Sequence, residues 1–277
     1  MPASEGPDQL SSADMSSLLD ERGPVHVHVG GTAVFSGEPP PFAEVLDHVG
    51  DRLALIPRFR RRVRWLPGRI LRAEWEDDPD FEVERHVRRV AIPSPGGDAE
   101  LRELVGRVMS EPLDQSRPLW QLYLVERCGV EAAGDAGGDW GFAAISKTHH
   151  ALVDGVSAID VGAVILDPDP EGTELGLGGG EWTPKLRRTD EVIADRVVDA
   201  RRRLLGIPRE AARRAIDPAV PQAALRTAQG FLDLARSTEP APPTILNEEI
   251  GRDRRVAFAT TTLAAMKAAA GAHGATV

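Results

Sequence analysis

Apolar residues along the first half of the chain recur with two different periods, and each period predicts one kind of element. Alternating apolar and polar positions predict a strand over 25–35, and apolar runs predict further strands over 119–125 and 140–146. Spacings of three and four residues predict helices over 42–53 and 98–109. Strands and helices therefore follow one another through this half of the chain.

Two short strands are predicted on either side of Pro67 and Gly68, over 62–65 and 70–75. Their region contains a run of five arginines: Arg58, Arg60, Arg61, Arg62 and Arg64. Such a run is most often a solvated strand face, although it can also attract an anionic thioester carrier. The sequence leaves both interpretations open.

Further along the chain the composition changes. Stretches rich in proline and glycine over 167–180 and 218–247 are typical of connectors. Between them, residues 190–205 have helical spacing. A strand is expected over 254–261, followed by a short alanine-rich helix over 262–272.

The helix predicted between the connectors belongs to a basic region. Nine arginines lie between Arg187 and Arg214. One explanation is a crossover helix between subdomains. The other is a basic amphipathic helix that lies on an anionic membrane surface.

The composition restricts the class of protein. A chain of 277 residues, 42% of them hydrophobic, can bury the core of one large or two modest domains. Its net charge of −10 argues against nucleic acid as a partner. No apolar run approaches the roughly 20 residues of a spanning helix, and the N-terminus lacks the features of a signal peptide. The single cysteine excludes an internal disulfide framework, so the sequence predicts a cytoplasmic protein.

The stretch 147–155 combines a proton carrier, a carboxylate and a glycine at a predicted strand-to-helix junction. It has the pattern HHxxxDG, formed by His149, His150, Asp154 and Gly155. Histidine titrates near neutrality, so it can take a proton from an alcohol or thiol and pass it on. His150 is the better placed of the pair, because Asp154 either orients its ring or forms an ion pair that shapes the loop. Gly155 permits a positive φ or the close approach of a ligand.

Other interpretations of the histidine pair compete with catalysis. A histidine beside an apolar strand is often a hydrogen-bonded core residue. A metal site is the weaker alternative, because Cys128 and the remaining histidines show no recognised ligand spacing. A Ser-His-Asp hydrolase would need a nucleophile elbow, and the chain contains no G-x-S-x-G. On chemistry alone, the catalytic and the structural interpretations stay open.

Two motifs carry a resemblance to known acyltransferases. HHALVDG over 149–155 resembles the active-site motif of the superfamily of chloramphenicol acetyltransferase, which includes the condensation domains of peptide synthetases. Pro118, Leu119 and Trp120 resemble the PLW motif of bacterial wax ester synthase/diacylglycerol acyltransferases. Further likeness to that family runs through 13–20, 25–31, 56–61 and 254–259.

The resemblance implies an α/β fold of the chloramphenicol acetyltransferase type. This is a two-layer sandwich subdomain with a mixed, mostly antiparallel sheet flanked by helices. An N-terminal acyltransferase subdomain is expected over 1–166, a linker with crossover helices over 167–247, and the start of a C-terminal subdomain over 248–277. The family's N-terminal helix corresponds to 13–20, with three apolar side chains expected on one side: Met15, Leu18 and Leu19.

The resemblance also implies an activity and roles for the motif residues. The activity is acyl-CoA-dependent O-acyl transfer to diacylglycerol or a long-chain alcohol, with acyl-CoA as co-substrate and no metal or redox cofactor. His150 is the expected general base, and His149 supports the loop or the second substrate. Asp154 is expected to hold the local geometry, and Gly155 to leave room for the acyl donor. The PLW residues are expected to give structural support or to bind substrate.

Two rival functions remain at this stage. A condensation-type acyltransferase shares HHxxxDG but uses a carrier-bound donor, and the PLW stretch argues against it. A non-catalytic lipid-surface protein would retain the fold and the basic helix. Because the acceptors are insoluble, peripheral contact with the inner membrane face or with lipid droplets is expected. A chain that ends at Val277 is expected to supply one of the family's two halves and to have little activity alone.

Overall fold

The computed structural model describes residues 8–69, 73–130, 139–153, 165–167, 182–205, 244, 248–259 and 261–276. Packing divides the chain into two compact units. Met1–Pro184 and Gly251–Val277 form the first unit, and Lys185–Ile250 form the second. The boundaries predicted after residues 166 and 247 lie close to residues outside the described ranges, so that division into three parts stays a prediction.

The described part of the first unit contains six strands. They are β1 (His28–Ser36), β2 (Arg61–Arg64), β3 (Glu74–Asp77), β4 (Val87–Val90), β5 (Trp120–Val130) and β6 (Asp139–His149). Four of them form one sheet in the order β1, β6, β5, β4, and β2 pairs with β3 separately. β6 is antiparallel to both of its neighbours, whereas β4 is parallel to β5. This mixed, mostly antiparallel sheet confirms the expected fold class.

Five helices confirm predictions made from the sequence. They are α1 (Ser12–Asp20), α2 (Phe42–Arg52), α3 (Asp98–Ser110), α4 (Thr189–Leu205) and α5 (Leu263–Ala272), with α4 in the second unit. Ser11 caps α1 in a reciprocal capping box with Asp14, and the Thr262 hydroxyl caps α5. The connectors predicted over 167–180 and 218–247 lie outside the described residues except for residues 167 and 244, and so does most of the stretch that follows the histidine motif.

Both faces of the four-stranded sheet carry apolar side chains, because successive residues of a strand point to opposite faces. The face towards α3 holds one cluster: Leu101, Leu104, Val105, Val108, Tyr123, Val125, Cys128, Ala143 and Ile145. On the other face, Trp120 belongs to a second cluster with Leu18 of α1 and Val49 of α2. Met15 packs against this second cluster, but Leu19 is 47% exposed, so the expected packing of Leu19 was wrong.

A buried lysine joins the central strand to the end of α3. Lys147 of β6 has no exposed surface, and its ammonium group donates hydrogen bonds to the carbonyl oxygens of Val108, at 2.7 Å, and of Glu111. The last carbonyls of a helix lack partners within the helix, and a cation there is favoured by the helix dipole. Burial lowers the pKa of Lys147 to about 8. The carbonyl contacts offset the cost of burying this charge.

Two histidines complete the cap of α3. The ring of His28 donates to the carbonyl of Met109 at 3.0 Å, and the ring of His26 donates to that of Ser110 at 3.1 Å. Burial, with the nearby charge of Lys147, lowers the pKa of His28 to about 4, so its ring binds as a neutral donor. Side chains from β6, from β1 and from the residues before β1 therefore meet at one helix end.

The paired strands β2 and β3 replace the predicted strands over 62–65 and 70–75, with a shift of one residue in the first and a larger one in the second. Gly68 between them has a φ of 73°, a conformation that favours glycine. Residues 70–72 lie outside the described part of the chain.

The three arginines of the run that lie in β2 are ion-paired and partly buried, so they do not form the solvated strand face that was one of the two interpretations. Arg61 binds Asp77 at 2.9 Å, and Glu76 binds Arg62 at 3.1 Å and Arg64 at 2.8 Å. The carboxylates of β3 therefore compensate much of the positive charge on β2, and less of that charge is left to attract an anionic carrier.

The predicted strand over 254–261 is also wrong, because the described residues there form no strand. The segment instead lies along α3. The backbone N–H of Arg254 donates to the Ser110 hydroxyl at 2.7 Å, and its guanidinium donates to the carbonyl of Pro24 at 2.6 Å. A Cβ built on Gly106 would lie 2.6 Å from the Arg254 carbonyl oxygen, so a glycine in α3 lets the segment approach.

We predict that Gly106→Ala destabilises the protein, although alanine normally favours a helix over glycine. The added methyl group has to displace backbone atoms of Arg254, and such overpacking costs about 1–3 kcal/mol. Urea unfolding of the variant measures the change in the free energy of unfolding.

Gly50→Ala is the matched control, because Gly50 also lies in a helix and an added Cβ there meets no atom within 4 Å. This control should be neutral or up to about 1 kcal/mol more stable than the parent. Equal stability of the two variants would contradict the close packing of residue 254 on α3.

Candidate active site

The histidine pair lies where the central strand of the sheet ends. His149 is the last residue of β6, and its backbone N–H donates to the carbonyl of Leu119 at 2.9 Å. His150 begins the following turn, and its N–H donates to the carbonyl of Val27 at 2.9 Å. The residues that lead into β1 and β5 therefore hold the backbone of the pair from both sides.

The two side chains have opposite environments. His149 is 0% exposed and points to the same face as Lys147, whereas His150 is exposed. A side chain that transfers a proton to substrate has to be reachable by that substrate. This requirement is met by His150, and His149 can act only through its neighbours.

The ring of His149 is held between a backbone amide and a carboxylate. Its Nδ1 accepts a hydrogen bond from the Ala151 N–H at 2.9 Å, and its Nε2 lies 3.4 Å from Oε1 of Glu21. At 3.4 Å this second contact is longer than a good hydrogen bond, so the attraction is mainly electrostatic. The Glu21 carboxylate also accepts hydrogen bonds from the Val27 N–H and the Gln115 side chain, each at 3.0 Å.

These contacts keep Glu21 ionised. Burial by itself raises the pKa of the carboxyl group, but the contacts with His149, Val27 and Gln115 outweigh it and lower the pKa to about 2. Because the folded-state pKa lies below the ordinary value of 4.5, the ionised group stabilises the fold above that pH. This contribution is lost as the pH falls towards 2.

The other two residues of the motif, Asp154 and Gly155, lie outside the described residues. Their predicted roles, in holding the loop and leaving room for the donor, therefore stay predictions.

The PLW residues form the neighbouring wall of the site. Pro118, Leu119 and Trp120 are all buried. The indole N–H of Trp120 donates to the carbonyl of Phe59 at 2.7 Å, and its ring stacks on His86 with centroids 4.7 Å apart. The carbonyl of Leu119 accepts the hydrogen bond from the His149 N–H. In this geometry the motif aligns β5 beside the end of β6.

An apolar cleft of about 380 Å³ runs over the sheet face opposite α3. Small side chains line its floor, among them Gly31, Ala33, Ala144 and Ser146. A further cleft of about 840 Å³ on the same face shares Leu122 and Ala144 with the first. The stacked rings of Phe35 and Phe142, with centroids 4.7 Å apart, line this second part.

Residues on both sides of the histidine pair in the sequence line the first cleft. Thr148 and Val153 line it, and His150 lies between them in the chain. An elongated cleft with small apolar side chains suits an aliphatic chain. An exposed histidine at the end of the same strand adds a group that accepts and donates protons.

Within the described ranges, no group of three or more His, Cys, Asp or Glu side chains is arranged to hold a metal ion. Cys128 is buried, and burial raises the pKa of its thiol.

Sequence reasoning missed Glu21 and Lys147 as parts of the site. Lys147 carried a signal, because it occupies an inward position of an alternating strand, where a charged side chain needs a buried partner. Glu21 carried none, since it follows a short helix and meets His149 only through the folded chain.

Residues 10–277 match the family described as wax ester synthase/diacylglycerol acyltransferase catalytic domain. A probable diacylglycerol O-acyltransferase of Mycobacterium tuberculosis, tgs3, is 35% identical over 243 residues, which are 80% of this chain and 79% of that protein. Another from the same organism, tgs2, is 33% identical over 278 residues, which are 98% of this chain and 57% of that protein.

A solved structure is similar over nearly the whole chain. The wax ester synthase/diacylglycerol acyltransferase from Marinobacter aquaeolei VT8 has a TM-score of 0.57 and 26% identity. The match covers 97% of this chain and 56% of that one, so this chain spans little more than half the length of that enzyme. The motifs, the sheet and the family match over residues 10–277 agree, and the chain belongs to the wax ester synthase/diacylglycerol acyltransferase family.

Proposed function

We propose that this protein is an acyl-CoA-dependent O-acyltransferase that esterifies diacylglycerol or a long-chain alcohol. One observation carries the proposal. The exposed His150 directly follows a strand whose Thr148 lines an apolar cleft, while the adjacent His149 is fully buried. Membership of the family and the names of the two mycobacterial relatives supply the substrate class.

In the proposed reaction His150 acts as general base and then as general acid. It takes the proton from the acceptor hydroxyl as the oxygen attacks the thioester carbonyl carbon. The carbon–sulfur bond then breaks, and His150 returns the proton to the departing thiolate of CoA. The products are an ester and free CoA, and no covalent enzyme intermediate is required.

The cleft supports the proposal because it can position the acyl chain of the donor. An acyl chain held along the sheet face loses its freedom before the reaction and keeps water away from the thioester. We assign the acyl chain to the part of the cleft over Ala144 and Gly31, where small side chains leave room. Asp154 would hold the motif loop, and Gly155 would admit the donor.

Two alternatives are less well supported. A condensation-type enzyme with a carrier-bound donor is not favoured by the family match or by the PLW motif. A lipid-surface protein without activity would leave the exposed histidine unexplained. Incubation with radiolabelled acyl-CoA and a choice of diacylglycerol, long-chain alcohol or amine acceptors separates all three functions, because only the proposed enzyme forms labelled esters.

We predict that His150→Ala lowers the rate of acyl transfer by a factor of about 100 or more, because general acid–base catalysis typically contributes that much. Its melting temperature should stay unchanged, since the side chain is exposed. The measurement is transfer from labelled acyl-CoA by the intact protein.

His149→Ala is expected to behave differently, with partial activity and a lower melting temperature, because it opens a cavity at a fully buried position and removes one of the three partners of the Glu21 carboxylate. His273→Ala is the matched control, since that exposed histidine lies just after α5. Transfer at the full rate by the His150 variant would end the general-base proposal.

Peripheral contact with a lipid surface is a second part of the proposal. Among the described residues, no helix has the length and apolarity to cross a membrane. Near the start of α4, Arg187 pairs with Asp195 and Arg188 pairs with Asp190, so these arginines are partly compensated. Arg201, Arg202 and Arg203 at its other end are the arginines that we assign to an anionic surface.

We predict that the protein floats with anionic liposomes and that binding weakens as salt rises from about 50 to 500 mM, because salt screens charge attraction. Liposomes of neutral lipid are the control surface. Replacing Arg201, Arg202 and Arg203 by glutamine should reduce flotation. Binding that is insensitive to both salt and this triple replacement would contradict the proposal that the basic helix binds the lipid surface.

A further inference from the structure

The carboxylate of Glu21 joins three parts of the fold. Glu21 directly follows α1, and its side chain is 9% exposed. Oε1 accepts the hydrogen bond from the Val27 N–H, and Oε2 accepts one from the Gln115 side chain. Oε1 also lies 3.4 Å from Nε2 of His149. The residues before β1, the residues before β5 and the end of β6 therefore meet at one carboxylate.

The ring of His149 has a single tautomer that suits this arrangement. Nδ1 accepts the Ala151 N–H, so it carries no proton and the ring proton of the neutral imidazole lies on Nε2. Nε2 faces the Glu21 carboxylate and has no standard hydrogen bond among the described residues. The carboxylate thus faces the one ring atom that bears a proton.

Glu21 also reaches the second histidine through one residue. The Val27 N–H donates a hydrogen bond to Glu21, and the Val27 carbonyl accepts a hydrogen bond from the His150 N–H. The path from the carboxylate to the backbone of His150 contains two hydrogen bonds of 3.0 and 2.9 Å. A shift of the carboxylate would move the turn from which the exposed ring projects.

We propose that Glu21 is a positioning residue for His150, acting through the ring of His149 and the backbone of Val27. This proposal rests on the proposed function, in which His150 moves the proton. Glu21 itself does not line the cleft. Its removal should therefore lower the turnover number and leave the KM for acyl-CoA nearly unchanged, because chain binding along the cleft is not altered.

Glu21→Gln is the sharpest variant, since it keeps the shape of the side chain and removes its charge. Its amide oxygen can accept from Val27 or face the ring proton of His149, but its NH2 group cannot accept from Gln115. Glu21→Asp keeps the charge on a shorter side chain and serves as the conservative variant. Glu82→Gln is the matched control, because Glu82 is an exposed acid paired with Arg85.

The primary measurement is nitrogen-15 NMR of the histidine rings, with the His149 signals identified by their loss in His149→Ala. We expect the parent and Glu21→Asp to show protonated Nε2 and unprotonated Nδ1. Glu21→Gln should add a fraction of the other tautomer, because only the Ala151 N–H then favours the proton on Nε2. This readout does not require activity, so it remains decisive if the proposed function fails.

Acyl transfer by the intact protein is the second measurement. We expect the turnover number of Glu21→Gln to fall about tenfold or more, that of Glu21→Asp to fall less, and that of Glu82→Gln to stay unchanged. Full activity and an unchanged tautomer in Glu21→Gln would overturn the proposal while His150→Ala stays inactive. Equal losses of activity and melting temperature in both Glu21 variants, with no tautomer change, would also overturn it, since that result indicates a structural role alone.

Discussion

The site depends on the burial of two polar side chains on the central strand. Lys147 and His149 project from β6 to the same face, and neither has exposed surface. A buried polar group without a partner costs about 1–3 kcal/mol, and a buried charge costs more, so each side chain fixes its neighbours. Lys147 fixes the end of α3, and His149 faces Glu21. The end of β6 is therefore constrained from several directions.

The fixed end of β6 gives the two adjacent histidines different roles. The strand holds the backbone of both between Val27 and Leu119, yet only His150 reaches solvent. A catalytic group gains from a rigid support, because small displacements from the reacting geometry lower the rate strongly. The buried histidine supplies that support, and the exposed one is free to meet the substrate.

The local pattern of the sequence predicted the helices and the main strands well, because each buries an apolar stripe with a regular period. The local pattern gave wrong predictions where contacts between residues distant in the sequence determine the structure. The segment near Arg254 alternates like a strand but lies along α3, where Gly106 leaves space for its backbone. The arginines of β2 looked solvated because their partners on β3 are separate in the sequence. Glu21 and Gln115 are 94 residues apart, and no local signal joins them.

The central claim is that the accessible His150 carries the proton while His149 is shielded. Carbethoxylation of histidines by diethylpyrocarbonate, followed by peptide mass spectrometry and an assay of acyl transfer, tests it most directly. The account predicts that modification of His150 parallels the loss of transfer, that His149 stays unmodified in the folded protein, and that acyl-CoA protects His150. Transfer that persists after complete modification of His150, or modification of His149 before His150, would contradict it.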